Sequence, residues 1–146
     1  MAPKFGTSGL RGLVTDLTDA LCAGYARAFL TVVPHRGLVL IGRDLRPSSA
    51  RLSQNVADAS AGMGLRVADC GEIPTPALAL AAMAAGAPSI MVTGSHIPAD
   101  RNGLKFYTAT GEITKADEAA ILAAYHEGPP GPPTTPEDAS AARSAY

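Results

Sequence analysis

The stretch "SIMVTGSHIPADRNGLKFYT", residues 89–108, decides how the chain is organised. Ser89–Thr93 is a short apolar run of strand type, and Leu104–Thr108 is a second one. Only about ten residues without helical periodicity separate them, which is short for a crossover between parallel strands. The second strand should therefore return antiparallel to the first, at or near a sheet edge. Ser95 and His96 fall just past the carboxyl end of the first strand. Asn102-Gly103 suits a tight turn that would fold Lys105 back towards Ser95.

Upstream, strands alternate with helices. Thr18 or Asp19 can cap a helix with apolar positions Leu21/Cys22, Tyr25, Phe29 and Val32/Val33, stopped by Pro34. Leu38–Ile41 is a continuous apolar run, as in a strand buried on both faces. After "GRDLRPSS", Ser48 or Ser49 starts a helix through Leu52, Val56, Ala59 and Met63, with Gly62 and Gly64 at its end. Leu65–Asp69 is the next strand. Thr75 as N-cap with Pro76 opens an Ala-rich helix that ends at Gly86. Thr114 and Asp117 form a variant capping box for a last helix containing Ile121, Leu122 and Tyr125. The Gly-rich residues 1–15 read as a loop entering a short strand at Leu13-Val14.

Together these elements predict an α/β fold. It is a three-layer α/β/α sandwich on a mixed, mainly parallel four-stranded sheet with the last strand antiparallel. The domain should occupy residues 1–127. Residues 128–136, "GPPGPPTTP", are a Pro-rich linker, and 137–146 a tail or the start of a second domain.

Composition narrows the function. The 146 residues are 47% hydrophobic with a formal net charge of −1, so a core is within reach and nothing favours nucleic acid or an anionic membrane. No apolar run has the length of a membrane span, and the N-terminus is unlike a signal peptide. Cys22 and Cys70 sit in apolar contexts as free thiols, which suits a reducing compartment, and a cytoplasmic location is expected. His35, His96 and His126 have no metal-ligand spacing.

Spacing also removes familiar sites. Glycines at 6, 9 and 12 fail the dinucleotide fingerprint, no Gly-Lys-Ser/Thr is present, and Ser95 lacks the glycines of a nucleophile elbow. What stays is Ser95 at the strand edge where α/β sheets bind ligands, with His96 and Lys105 close in sequence. On the residues alone, a plain strand-turn-strand stays open.

Four ordered segments carry a more specific signal. "VTGSHIPADRNGLKF" (92–106) resembles the phosphoserine loop of the α-D-phosphohexomutase superfamily, the phosphomannomutase and phosphoglucomutase group. "FGTSGLRG" (5–12) resembles that family's first active-site loop, "IGRDLRPSS" (41–49) its strand-helix junction, and "GEIPTPALALAA" (71–82) the segment opening its next helix.

The resemblance implies an enzyme that interconverts hexose 1-phosphate and 6-phosphate, mannose and/or glucose, through a phosphoserine and a bisphosphosugar. It implies Ser95 as the phosphate carrier, with a phosphate oxygen as one ligand of Mg²⁺. His96 and Lys105 would move protons, and Arg11 would lie near the reacting phosphate. Thr7, Ser8, Arg101 and Asn102 would support substrate or phosphate. Arg43, Asp44 and Arg46 are expected to hold the loop and helix start. Implied partners are a phosphosugar substrate, the remaining mutase domains and a hexose 1,6-bisphosphate activator.

Ile97 stands where the family commonly has Asn. The family's aspartate-rich metal loop and sugar-discriminating loop belong to later domains, so the chain alone is expected to lack sustained activity. Phosphoglucosamine mutase, or a non-catalytic phosphosugar- or partner-binding protein, are the competing readings.

Overall fold

A computed structural model describes residues 4–6, 9–94 and 101–127. Seven strands and four helices follow in the order β1 (Lys4–Gly6), β2 (Gly9–Leu13), α1 (Asp19–Val32), β3 (Leu38–Arg43), α2 (Pro47–Gly62), β4 (Arg66–Glu72), α3 (Thr75–Ala85), β5 (Ser89–Val92), β6 (Arg101–Thr108), β7 (Gly111–Glu112) and α4 (Lys115–Glu127). The expected linker and tail lie outside the described residues.

One sheet runs β1-β2-β6-β5-β3-β4, with β7 paired to β6. β3 is parallel to both β4 and β5, as two helical crossovers require. β6 is antiparallel to β5, with Ile90 opposite Phe106 and Met91 opposite Lys105.

The α/β sandwich is as expected, but the sheet is larger than four strands and β6 is not at its edge. The N-terminal segment is a hairpin whose second strand pairs antiparallel with β6, Leu10 opposite Leu104 and Leu13 opposite Arg101. Gly-rich sequence reads as loop because glycine carries little strand propensity. Here its missing side chain is what the pairing needs. Gly9 has φ +99°, and a Cβ there would lie 1.9 Å from the Leu104 carbonyl oxygen.

A second correction concerns Asn102-Gly103. These residues are not a turn. They belong to β6, paired with Gly12 and Arg11.

Side-chain alternation builds the layers. Val39 and Ile41 of β3, Ile90 and Val92 of β5, and Leu104 and Phe106 of β6 point into a core with α1, α2 and α4. Leu40 and Met91 point the other way, onto Leu78 and Ala82 of α3. The larger core is organised by rings. Phe29 of α1 packs on Phe106 with centroids 4.7 Å apart, and Tyr25 stacks on Tyr125 of α4 at 3.9 Å.

Helix ends follow their chemistry with small shifts. The Thr18 hydroxyl accepts from the Leu21 amide. The Thr114–Asp117 box forms in both directions, each bond 3.0 Å. α2 starts at Pro47 rather than at a serine, with proline's fixed φ suited to the first helical position after Arg46. α3 takes Pro74 as its N-cap and includes Thr75. Cys22 and Cys70 are free thiols, and burial pushes the Cys22 thiol up to about 11.

Gly9→Ala should destabilise the domain by at least ~2 kcal/mol, because both backbone strain and the clash with Leu104 oppose it. Urea unfolding followed by circular dichroism measures this. A change within ±0.5 kcal/mol, the usual range for a neutral surface site, would mean the hairpin is not firmly seated on β6.

Candidate active site

The carboxyl ends of β3 and β5 lie side by side, and the polypeptide leaves both at the same edge of the sheet. β6 is antiparallel to β5, so it begins at this edge. Three chain segments meet there: Asp44–Ser49, Thr93–Gly94 and Arg101–Gly103.

Asp44 joins them. Its amide donates to the Val92 carbonyl at 2.9 Å, continuing the β3–β5 ladder by one bond. One carboxylate oxygen accepts from the Arg46 amide (3.1 Å) and the Ser49 hydroxyl (2.5 Å). The other accepts from the Gly94 amide (2.8 Å) and the Thr93 hydroxyl (3.1 Å). Arg46 Nε approaches that same oxygen at 3.7 Å, and Arg46 Nη1 donates to the Arg101 carbonyl at 3.0 Å.

Asn102 is fully buried behind this cluster. Its amide nitrogen donates to the hydroxyls of Ser48 (2.8 Å) and Ser49 (2.9 Å), and its oxygen accepts from the Gly103 amide (2.8 Å). With both amide hydrogens spent on α2, Asn102 braces the strand edge instead of reaching outwards. A half-buried Arg101 offers its carbonyl to Arg46.

Arg11 and Lys105 stand on the next two strands. Arg11 pairs with Gly103 and Lys105 pairs with Met91, so both side chains emerge on the face of the sheet that carries α3. Arg11 is exposed and Lys105 half-buried. They border a small depression whose other walls are Leu10, Thr93, Gly94, Gly103 and Leu104. Two of the expected catalytic residues are thus brought to the end of β5. Ser95, His96, Thr7 and Ser8 lie outside the described residues.

Electrostatics at the edge favour an ionised Asp44. Burial alone would raise its carboxyl, but bonds from Ser49, Gly94, Arg46 and Thr93 outweigh burial and hold it below the ordinary value of 3.8. Its neighbour Arg46 adds positive charge.

Among the described residues no three His, Cys, Asp or Glu side chains gather as a metal site. Asp44 borders the loop, but its oxygens are already engaged by four donors. The described residues therefore do not by themselves form a Mg²⁺ site. No described helix is long and apolar enough to cross a membrane.

The sequence signals "GRD" and "NG" pointed to this edge without revealing its wiring. Thr93, Gly94 and Ser49 went unnoticed as partners of Asp44, since their bonds join residues far apart in the chain.

A depressed carboxyl contributes stability that is present above the unfolded value and lost as pH falls through the folded one. The domain should therefore lose stability as pH drops below 3.8. Asp44→Asn should remove that part of the acid dependence and cost at least ~2 kcal/mol at pH 7. Thermal melts of both proteins from pH 3 to pH 7 test this. Parallel stability–pH curves would count against it.

The chain matches the family described as "Phosphoglucomutase/phosphomannomutase, alpha/beta/alpha domain I" over residues 2–130. It is 54% identical over 129 residues to a phosphomannomutase of Sinorhizobium fredii, covering 84% of this chain and 27% of that protein. A phosphoglucosamine mutase of Kineococcus radiotolerans is 39% identical over 136 residues, covering 88% of this chain and 30% of that protein. The crystal structure of a putative phosphomannomutase from Thermus thermophilus superimposes with a TM-score of 0.72 at 34% identity, covering 84% of this chain and 30% of the other. The chain thus spans under a third of the length of these relatives. A match over nearly all described residues, with the same α/β/α layers, places this chain in the phosphoglucomutase/phosphomannomutase family, as its domain I.

Proposed function

We propose that the chain is the phosphoserine-bearing domain of a phosphosugar mutase acting on hexose phosphates, mannose and/or glucose. The observation that carries this reading is the convergence of Arg11 and Lys105 on Thr93 and Gly94, the two residues that lead from β5 into Ser95. Two cations beside the residues that lead into a serine, at the kind of sheet edge where ligands bind, suit phosphoryl transfer, which depends on alignment and charge neutralisation.

The roles divide by chemistry. Phosphorylated Ser95 gives its phosphoryl group to a hexose-phosphate hydroxyl: the bond from phosphorus to Ser95 Oγ breaks and one to the sugar oxygen forms. Lys105 and His96 manage the hydroxyl proton. Lys105 suits this by its place: it is half-buried on the wall of the depression that Gly94 also lines. The Arg11 guanidinium fits phosphate oxygens in a fork. The resulting bisphosphosugar then returns a phosphoryl group to Ser95 from its other end. Arg101 and Asn102 support the loop through the strand edge, and Thr7 and Ser8 are assigned to the first active-site loop.

When bound, Mg²⁺ would neutralise phosphate charge. It would be held mainly by residues outside this chain, with one oxygen of the Ser95 phosphate. Higher identity to a phosphomannomutase than to a phosphoglucosamine mutase favours hexose over hexosamine substrates. The free thiols suit the cytoplasm.

The test joins this chain to the remaining domains of the Sinorhizobium fredii phosphomannomutase and supplies glucose 1,6-bisphosphate, Mg²⁺ and mannose 1-phosphate. Peptide mass spectrometry should find one phosphate on Ser95, and Ser95→Ala should abolish turnover. Phosphate on another residue, or turnover in Ser95→Ala, would overturn the reading. In the same protein Lys105→Met should lower kcat by about 10²-fold or more. Assayed alone with the same reagents, the 146-residue chain should show no sustained turnover.

A further inference from the structure

We propose that Asp44 is a positioning residue for phosphoryl transfer: its carboxylate holds the Gly94 amide and the Thr93 hydroxyl, and so sets the direction in which the chain enters Ser95. This rests on the phosphoserine reading above.

The geometry separates this role from simple helix capping. A cap needs only the Arg46 and Ser49 bonds on one oxygen. The second oxygen is given to the far strand, at Thr93 and Gly94. One rigid carboxylate therefore bridges the start of α2 and the last described residues before Ser95.

Arg46 closes the arrangement from above. A Cβ on Gly94 would lie 2.1 Å from the Arg46 guanidinium carbon, so the bare glycine backbone is what lets Arg46 lie against it. Arg46 is held in turn by Asp44 and the Arg101 carbonyl, on the strand that follows the loop. Gly94 and Arg101, the nearest described residues on either side of Ser95, are thus held by one Asp44–Arg46 unit. Asn102 stiffens it through Ser49, which accepts from Asn102 and donates to Asp44.

Phosphoryl transfer is sensitive to small misplacement of the reacting oxygen, and an error of about 1 Å can cost about 10²-fold. A negative Asp44 would repel a phosphate if its oxygens pointed at it. With both turned onto backbone and hydroxyl donors, it can orient the loop without acting as a ligand.

The experiment uses the completed mutase described above and the 146-residue chain. Asp44→Asn keeps the shape but places an amide against donors. Thr93→Val removes one donor while keeping the volume, and remains informative if Asp44→Asn fails to fold. In the mutase, Asp44→Asn should lower kcat by about 10²-fold with KM changed by less than about twofold. Thr93→Val should lower kcat by about fivefold, and Thr93→Ser should recover most of that loss.

In the chain, amide hydrogen exchange at Gly94 should quicken by about tenfold or more in Asp44→Asn, and less in Thr93→Val. Ile41, Ile90 and Leu104 should quicken only by the common factor that the loss of global stability sets, and Gly94 by about tenfold more than they do. A merely structural Asp44 would quicken Gly94 and these core amides by the same factor, and that result overturns the proposal. So does an unchanged kcat in both Asp44→Asn and Thr93→Val, or a rise in KM alone, where Ser95→Ala is inactive. Turnover that survives Ser95→Ala overturns the phosphoserine reading, and this proposal with it.

Discussion

The carboxylate of Asp44 is the point at which strand, helix and loop are tied together. Four donors from two segments far apart in sequence converge on its two oxygens, and its own amide extends the β3–β5 ladder. Few side chains could do this. A carboxylate accepts at both oxygens in one plane, whereas an amide accepts at one end only. Ionisation makes each bond stronger than a neutral equivalent, and the four together outweigh the penalty of burial.

The sheet turns that local tie into a site. Parallel β3 and β5 deliver two loops to one edge, antiparallel β6 returns from it, and β2 adds Arg11 beside Lys105. The two packing layers remain separate from this edge. Phe29, Phe106, Tyr25 and Tyr125 fill one face, and Leu78 with Met91 fills the other. Polar wiring at the rim can therefore be specific without interrupting either core.

Much of this was legible in the sequence, for physical reasons. Helix periodicity, Pro34, Gly86 and the Thr114–Asp117 box marked elements whose signals are local. The short gap before Leu104 gave the antiparallel return. What escaped was non-local. Strand β2 forms because Gly9 lets the backbone pass close to Leu104, and no periodicity within residues 9–13 announces that. Asn102-Gly103 looked like a turn because those residue types favour turns. In the fold, pairing with Gly12 and Arg11 overrides that preference. The site followed the same rule. Lys105 was marked by its place on the strand returning past Ser95 and Arg11 by the family resemblance, while the bonds from Asp44 to Thr93 and Gly94 span about half of the described chain and leave no linear trace.

The seating of the N-terminal hairpin on β6 also bears on how the chain acquires its structure during synthesis. β2 emerges from the ribosome early, yet Leu10 and Leu13 must wait for Leu104 and Arg101. Until then the hairpin has open edges, and the apolar side of Leu10 has no strand beside it. β3, β4 and their helices can assemble first, because their contacts are nearer in sequence. The β2–β6 closure joins the paired strands farthest apart in sequence, so topology leads us to expect it as the slow step. It is also the step that brings Arg11 to Lys105, so cation pairing at the site reports that the fold has been completed.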